Sequence, residues 1–185
     1  MVVSRLKYLY SLALSKGFIV KNESYSKFFI KAFVALGLIL IFGTWFYSRF
    51  SFLYIEERVS CIIGGEFFLV DKKDKMLVRG NTYAYRAKGL SPYYEDGRLM
   101  GKFLMGMPGD KIEILSDHIL INGLPKVYGF PHAEKLGKKP EDFFGKMELK
   151  NDQYWMLGNA PESFDSRYWG AISNEQIVGR LYTIY

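Results

Sequence analysis

Two short stretches hold residue types that could do acyl chemistry. In LMGKFLMG, Lys102 stands inside an apolar run, and strand alternation would put it on one face with Met100 and Leu104. Burial disfavours the ammonium form of a lysine, and a neutral amine can take a proton from a neighbouring hydroxyl as a general base. Pairs of this kind are an alternative to histidine-based triads. The competing reading is a strand lysine pointing to solvent. The other stretch, LGNAPESFDSRYWG (residues 157 to 170), packs Asn159, Ser163, Asp165, Ser166 and Arg167 into a polar loop between strands. There Ser163 would orient a base and Asp165 would pair with Arg167. The bland reading is a hydrogen-bonded turn with Tyr168 and Trp169 plugged into the core, and both can hold together. Cys61 is the only cysteine, which excludes an internal disulfide. The two histidines, His118 and His132, have no ligand spacing that suggests a metal site, so neither metal nor cofactor is expected.

Such residues need a scaffold, and the chain supplies one in parts. Residues 32 to 48, AFVALGLILIFGTWFYS, carry no charge and approach the roughly 17 to 25 residues of a helical membrane span. Lys31 and Arg49 flank the run, and Trp45, Phe46 and Tyr47 form an interfacial aromatic group. A buried core helix or a cleaved signal peptide fits this segment less well. Arg5, Lys7, Lys16, Lys21, Lys27 and Lys31 precede it against Glu23 alone, so residues 1 to 31 are read as cytoplasmic and the chain beyond as exported. Within them, residues 8 to 20 could lie on the bilayer surface. The net charge of +6 is thus concentrated near the N-terminus and makes no nucleic-acid stripe; the lipid bilayer is the expected partner.

After a connector at 49 to 60, residues 61 to 185 alternate in the manner of strands. Strands are expected at Glu66–Asp71, Thr82–Arg86, Leu99–Met105, Lys111–Leu115, His118–Ile121, Lys126–Tyr128, Gln153–Leu157 and Ile177–Ile184. Turn signals separate them at RGN, PGD, LSD and NG. Residues 129 to 150, charged and rich in Gly and Pro, are read as a surface excursion. The class is a mostly-β exported domain behind one transmembrane helix.

KFLMGMPGDKI resembles the lysine motif of the type I signal peptidase family, a lysine followed at fixed spacing by Gly-X-Pro-Gly-Asp. LGNAPESFDSRYWG resembles its later motif, Gly-Asp-Asn and then Ser-X-Asp-Ser-Arg-Tyr-Trp-Gly, and QIVGRLYTIY is similar to its final strand. The resemblance implies a signal-peptidase-like β-barrel or sandwich on the outer side of a bacterial inner membrane. It makes Lys102 the general base and places Ser163, Asp165 and Arg167 in the supporting box. The short domain, single anchor and SFDSRYWG resemble the TraF-like branch, peptidases that mature, and in some cases cyclise, the pilins of conjugation systems. The partner so implied is a pilin or other exported precursor. The alternatives are a general type I signal peptidase and a catalytically silent subunit of a secretion channel.

The chain departs from the family in two places. Gly158-Asn159 stands where Gly-Asp is usual, a change read as structural. In the nucleophile segment, here RVSCIIGGEFFLV, signal peptidases proper have Ser-Met-Pro and TraF-like members often have Ser-X-Pro-X-Gly-X-Tyr or Phe, and neither alignment of this chain restores the proline. Aligning the family's glycine and aromatic to Gly65 and Phe67 puts Cys61 at the nucleophile position. Aligning Ser60 instead leaves Glu66 at the aromatic position. Spacing favours Cys61, and family chemistry favours Ser60. A thiol beside an ammonium would act as a thiolate–lysine ion pair.

Overall fold

A computed structural model describes residues 7–9, 11, 12, 15, 24–55, 61, 62 and 65–184. The chain divides into two units, Met1–Ser48 and Arg49–Tyr185. In the first, the described residues between 7 and 15 are helical, and a long helix, α1, runs over Tyr25–Arg49. It begins seven residues before the expected Ala32, because Tyr25 to Lys31 continue the helical run on the basic side. At about 1.5 Å per residue it is long enough to cross a hydrocarbon core of about 30 Å. None of its residues is buried, so its apolar side chains face outward all round, as lipid requires.

Among the described residues, the second unit contains eleven strands in two antiparallel sheets. β1 (Phe50–Tyr54), β2 (Phe67–Asp71), β3 (Thr82–Arg86), β4 (Leu99–Gly106), β9 (Gln153–Leu157), β10 (Ile172–Ser173) and β11 (Ile177–Thr183) form the larger, in the order β1-β2-β11-β3-β4-β9-β10. The smaller is β7-β6-β5-β8, built from β5 (Lys111–Ile114), β6 (His118–Ile121), β7 (Leu124–Tyr128) and β8 (Gly145–Glu148). Each expected strand is present within two residues of its reading. Three more were not foreseen. β1 lies in the stretch read as connector and pairs with β2 from Phe50↔Asp71 to Tyr54↔Phe67. β10 is too short for a periodic signal. β8 falls inside the region read as a surface excursion, where it pairs with β5, while Phe130 and Ala133 of the same region enter the core. That excursion is therefore partly structural: charged flanks and Gly-Pro turns hid three apolar anchors, Phe130, Ala133 and Leu149.

Alternation decides which core each strand feeds. On β4, Met100 and Leu104 join Tyr83 and Tyr85 of β3 and Met156 of β9 in one cluster. Trp155 and Leu157, the alternate residues of β9, face a second cluster with Ile112, Ile119 and Ile121. Phe68, Val70, Ala84 and Leu181 form a third with Ile62. β9 is thus a wall shared by two cores, and β4 beside it is held from both sides.

The smaller sheet is pinned to the end of β4 by Asp110. The β6–β7 link is a two-residue turn, Asn122-Gly123, with both φ positive (53° and 79°), as a tight hairpin with the native twist demands. The Asn122 amide donates to Asp110 Oδ1 (2.7 Å), Arg79 donates to both Asp110 oxygens (2.6 and 3.0 Å), and Met107 N–H donates to Oδ2 (2.6 Å). Burial works against the charge, but these donors hold the carboxyl below its usual range. A group so depressed stabilises the fold above the ordinary carboxylate range and loses that contribution as pH falls through it. Asp110→Asn is expected to cost about 1–2 kcal/mol at neutral pH, at the modest end because Arg79 is 41% exposed. Denaturant melts should show the gap between variant and wild type closing in acid; a gap that persists there would refute the assignment.

Candidate active site

Lys102 sits in the middle of β4, directly opposite Tyr83 of β3, and is 1% exposed. The outward-pointing lysine is therefore excluded: its stem is in the core and it shares its face with Met100 and Leu104. Its other neighbour follows from register. β4 and β9 pair at Phe103↔Leu157, so the next residues along, Lys102 and Gly158, lie beside one another where β9 ends.

Gly158 is a point of closest approach. A Cβ built there would lie 2.5 Å from the Cys61 carbonyl oxygen and 2.6 Å from Ser163 Cβ, so only glycine fits. The next residue, Asn159, donates its backbone N–H to the Cys61 carbonyl (3.1 Å). An aspartate would supply the same N–H, which explains why the Gly-Asn departure is compatible with the fold. The cysteine-bearing segment is thereby docked onto the polar loop next to Lys102. Cys61 and Lys102 line one cleft of about 400 Å³, walled by Ile55, Tyr94 and Leu99. Ser60, the alternative nucleophile, lies outside the described residues.

The loop itself is held by a buried ion pair. Asp165 is 0% and Arg167 2% exposed. Asp165 Oδ1 accepts from Arg167 Nε (2.8 Å) and Arg167 N (3.2 Å), and Oδ2 from Arg167 Nη2 (3.0 Å) and Gly158 N (3.1 Å). Arg167 also donates to the carbonyls of Ser163 (2.8 Å), Gly129 (3.0 Å) and Tyr128 (3.2 Å). Both carboxylate oxygens are thus committed to the loop, which makes Asp165 a strut for Gly158 rather than a group facing the cleft. It also caps the short helix α2 (Ser166–Trp169). Ser166 Oγ accepts from Met156 N (2.9 Å), stitching that helix to β9. Tyr168 and Trp169 pack around Phe164, at 5.3 and 4.7 Å between ring centroids, so the loop is an aromatic plug as well as a polar box.

Two hydroxyls in this region are buried without a hydrogen-bond partner among the described residues: Ser163 Oγ, beside Gly158, and Tyr85 Oη. Burial pushes the Tyr85 phenol well up, and nearby Asp165 and Cys61 push it further. The Tyr94 phenol is raised by burial and by Cys61, against the pull of Arg98. Both tyrosines escaped the sequence reading, since TYAYR and the loop before β4 resemble ordinary core and surface sequence. The face that Tyr83 and Tyr85 share with Lys102 was the one available signal. A larger cleft of about 600 Å³ opens beside Phe103 and Met105, which alternate with Lys102 on β4, and holds neither Cys61 nor Lys102. Among the described residues no group of His, Cys, Asp and Glu is arranged to hold a metal.

A membrane-spanning helix followed by a two-sheet β domain, with an internal lysine and a thiol in one cleft, defines a membrane-anchored domain built around a buried strand lysine. The profile of the family described as "Signal peptidase, peptidase S26" spans residues 26–185, and the chain belongs to that family. A probable signal peptidase I-2 of Synechocystis is 31% identical over 114 residues, 60% of this chain and 46% of that protein. Signal peptidase I P of Bacillus subtilis subsp. natto is 35% identical over 108 residues, 55% of each. The chain spans about half the length of these curated relatives. A crystal structure of a signal peptidase I from Enterococcus faecalis aligns at 25% identity over 60% of this chain and 100% of that one, with a TM-score of 0.38. Among the described residues one helix, α1, is long and apolar enough to cross a membrane, and the chain is an inner-membrane protein with its β domain on the exported side, as the charge asymmetry around α1 and the family both indicate.

The contact at Gly158 can be tested without knowing a substrate. Gly158→Ala should cost about 1–3 kcal/mol in a thermal or denaturant melt, because the new methyl strikes the Cys61 backbone carbonyl as well as the Ser163 side chain. It should also raise the rate at which iodoacetamide alkylates Cys61, the only thiol in the chain. Unchanged stability and unchanged alkylation would mean that the cysteine segment does not dock there.

Proposed function

We infer that this protein is a membrane-anchored endopeptidase of signal-peptidase type, which cuts exported precursor proteins at the outer face of the membrane. The observation that carries the reading is the single cleft lined by Cys61 and the buried Lys102. In the proposed reaction Lys102 Nζ takes the Cys61 proton, and Sγ attacks the scissile carbonyl carbon. As the tetrahedral intermediate collapses, the C–N bond breaks and the leaving amine receives the proton from Lys102. A thioester remains, which water hydrolyses with Lys102 again as base, regenerating the thiol and releasing the new carboxylate. Ser163, whose hydroxyl is buried beside Gly158, is proposed to orient the lysine. Asp165, Arg167 and the Asn159 backbone are positioning residues that act through Gly158 and the Cys61 carbonyl.

A narrower reading, pilin maturation for conjugation with release by an amine of the same chain, rests only on the resemblance of SFDSRYWG, the short domain and the single anchor to the TraF-like branch. The relatives named above all carry the general signal peptidase name, which favours the general substrate class. The two are separated by offering the full-length protein an unrelated secretory preprotein and a pilin precursor side by side.

Lys102→Ala is expected to reduce precursor cleavage by the full chain in detergent or vesicles by at least about 10²-fold. Cys61→Ala should do the same, while Ser60→Ala retains activity. The reverse pattern would move the nucleophile to Ser60. Cleavage that survives both single changes and the double Ser60→Ala, Cys61→Ala change would overturn the enzymatic reading in favour of a silent structural subunit.

A further inference from the structure

The Cys61–Lys102 cleft runs along β4 to Arg98, the residue just before that strand, and Arg98 is held in place from the backbone outward. Its N–H donates to the Glu95 carbonyl (3.1 Å), and its carbonyl accepts from Ala87 N (2.8 Å). Gly97, one residue earlier, donates to the Ala87 carbonyl (2.8 Å) and accepts from Arg86 Nη1 (3.0 Å). Asp96 caps the loop by accepting from Gly89 N (2.6 Å). The guanidinium then lies over the Tyr94 ring, 4.9 Å from its centroid. Stacking of this kind holds a planar cation in one orientation while leaving its edge donors free. Arg98 is exposed, and among the described residues it makes no ion pair.

Among the described residues, the charge on the cleft wall has one sign. Its described lining contains two basic side chains, Lys102 on the floor and Arg98 at the mouth, and no Asp or Glu. A cleft with one sign of charge favours ligands of the other. Lys102 is four residue steps beyond Arg98, about 13 Å at roughly 3.3 Å per residue. A substrate laid extended in the cleft has the same rise, so three or four residues separate its reacting carbonyl from the side chain that meets Arg98.

We propose that Arg98, shelved on Tyr94, is a specificity residue that selects precursors carrying an Asp or Glu side chain three or four residues from the scissile bond. The selection rests on the peptidase reading above, and its test is arranged so that the two fail separately. A set of C-terminally amidated peptides, which have no terminal carboxylate, carries Glu, Gln or Lys in turn at each position around one cleavable small-residue site. The full-length protein in detergent should cut one Glu peptide, with Glu three or four residues from the site, about three- to fivefold faster in kcat/KM than its Gln partner. The ratio should shrink toward one as salt rises to about 0.5 M. In Arg98→Ala it should fall to about one, in Arg98→Lys it should be partly kept, and in Arg98→Glu the preference should pass to the Lys peptide. The same ratios read as Kd by fluorescence anisotropy on the Lys102→Ala protein do not depend on turnover.

A Glu preference in binding that Arg98→Ala abolishes, with no cleavage of any peptide, would sink the peptidase reading and support the selection. Cleavage with equal rates for Glu and Gln at every position, or a Glu preference that survives Arg98→Ala, would overturn the selection alone. Neither binding nor cleavage would overturn both.

Discussion

The structure around the cleft depends on one buried ion pair, Asp165 with Arg167. Removing two charges from water is expensive, and attraction between them offsets that cost only when the remaining hydrogen-bonding capacity is also filled. Here it is filled: the carboxylate accepts from the arginine side chain, from the Arg167 backbone and from Gly158, and the guanidinium reaches three carbonyls. The result is a rigid loop whose two ends are set by charge. One end presents the Gly158 N–H and the space beside it. The other reaches Tyr128 and Gly129, so the smaller sheet and the loop cannot shift independently.

Gly158 converts that rigidity into a site. Register puts it next to Lys102, and its missing side chain lets the Cys61 carbonyl and Ser163 approach on either side. Three segments far apart in sequence, at 61, at 102 and at 158 to 163, thus converge because one strand stops and a glycine follows. The lysine is tolerated within the sheet because its stem packs with Met100 and Leu104 while its head lies at the cleft. Tyr85 and Ser163, buried with unmet hydroxyls nearby, add polarity where an apolar core would have none. Such unmet groups are costly to stability.

The opposite wall has a different logic. Cys61 is carried by a segment whose neighbour Ile62 is sunk in the third core with Phe68 and Leu181, so the thiol is placed by an apolar anchor on one side and by the Asn159 hydrogen bond on the other. The mouth is shaped by Tyr94, whose ring meets Phe164 of the polar loop at 5.6 Å and also carries Arg98. The region read as an excursion contributes as well: His132 Nε2 meets the Glu162 carbonyl at 2.6 Å and its ring meets Phe164. Loop, excursion and cleft mouth therefore share one aromatic cluster.

Much of this was legible in the chain as written. A charge-free apolar run beside a basic flank specifies a membrane helix, because lipid leaves no other way to satisfy a backbone. Period-two alternation specified strands such as Thr82–Arg86 and Gln153–Leu157 to the residue, and Asn122-Gly123 specified its turn, since few residue pairs take two positive φ values. The Lys102 and Asp165–Arg167 motifs were visible as residue types at fixed spacing. What spacing could not supply was everything that depends on which strands become neighbours. β1, β8 and β10 are strands only because a partner edge pairs with them, and Phe130 is core only because its charged surroundings fold away from it. Whether Lys102 pointed inward and that Gly158 rather than Asp165 adjoins it follow from register between β3, β4 and β9, and that Tyr94 and Arg98 line the same cleft follows from how the loop before β4 folds. Register is set by burial summed over a whole sheet, and no short stretch of sequence contains that sum.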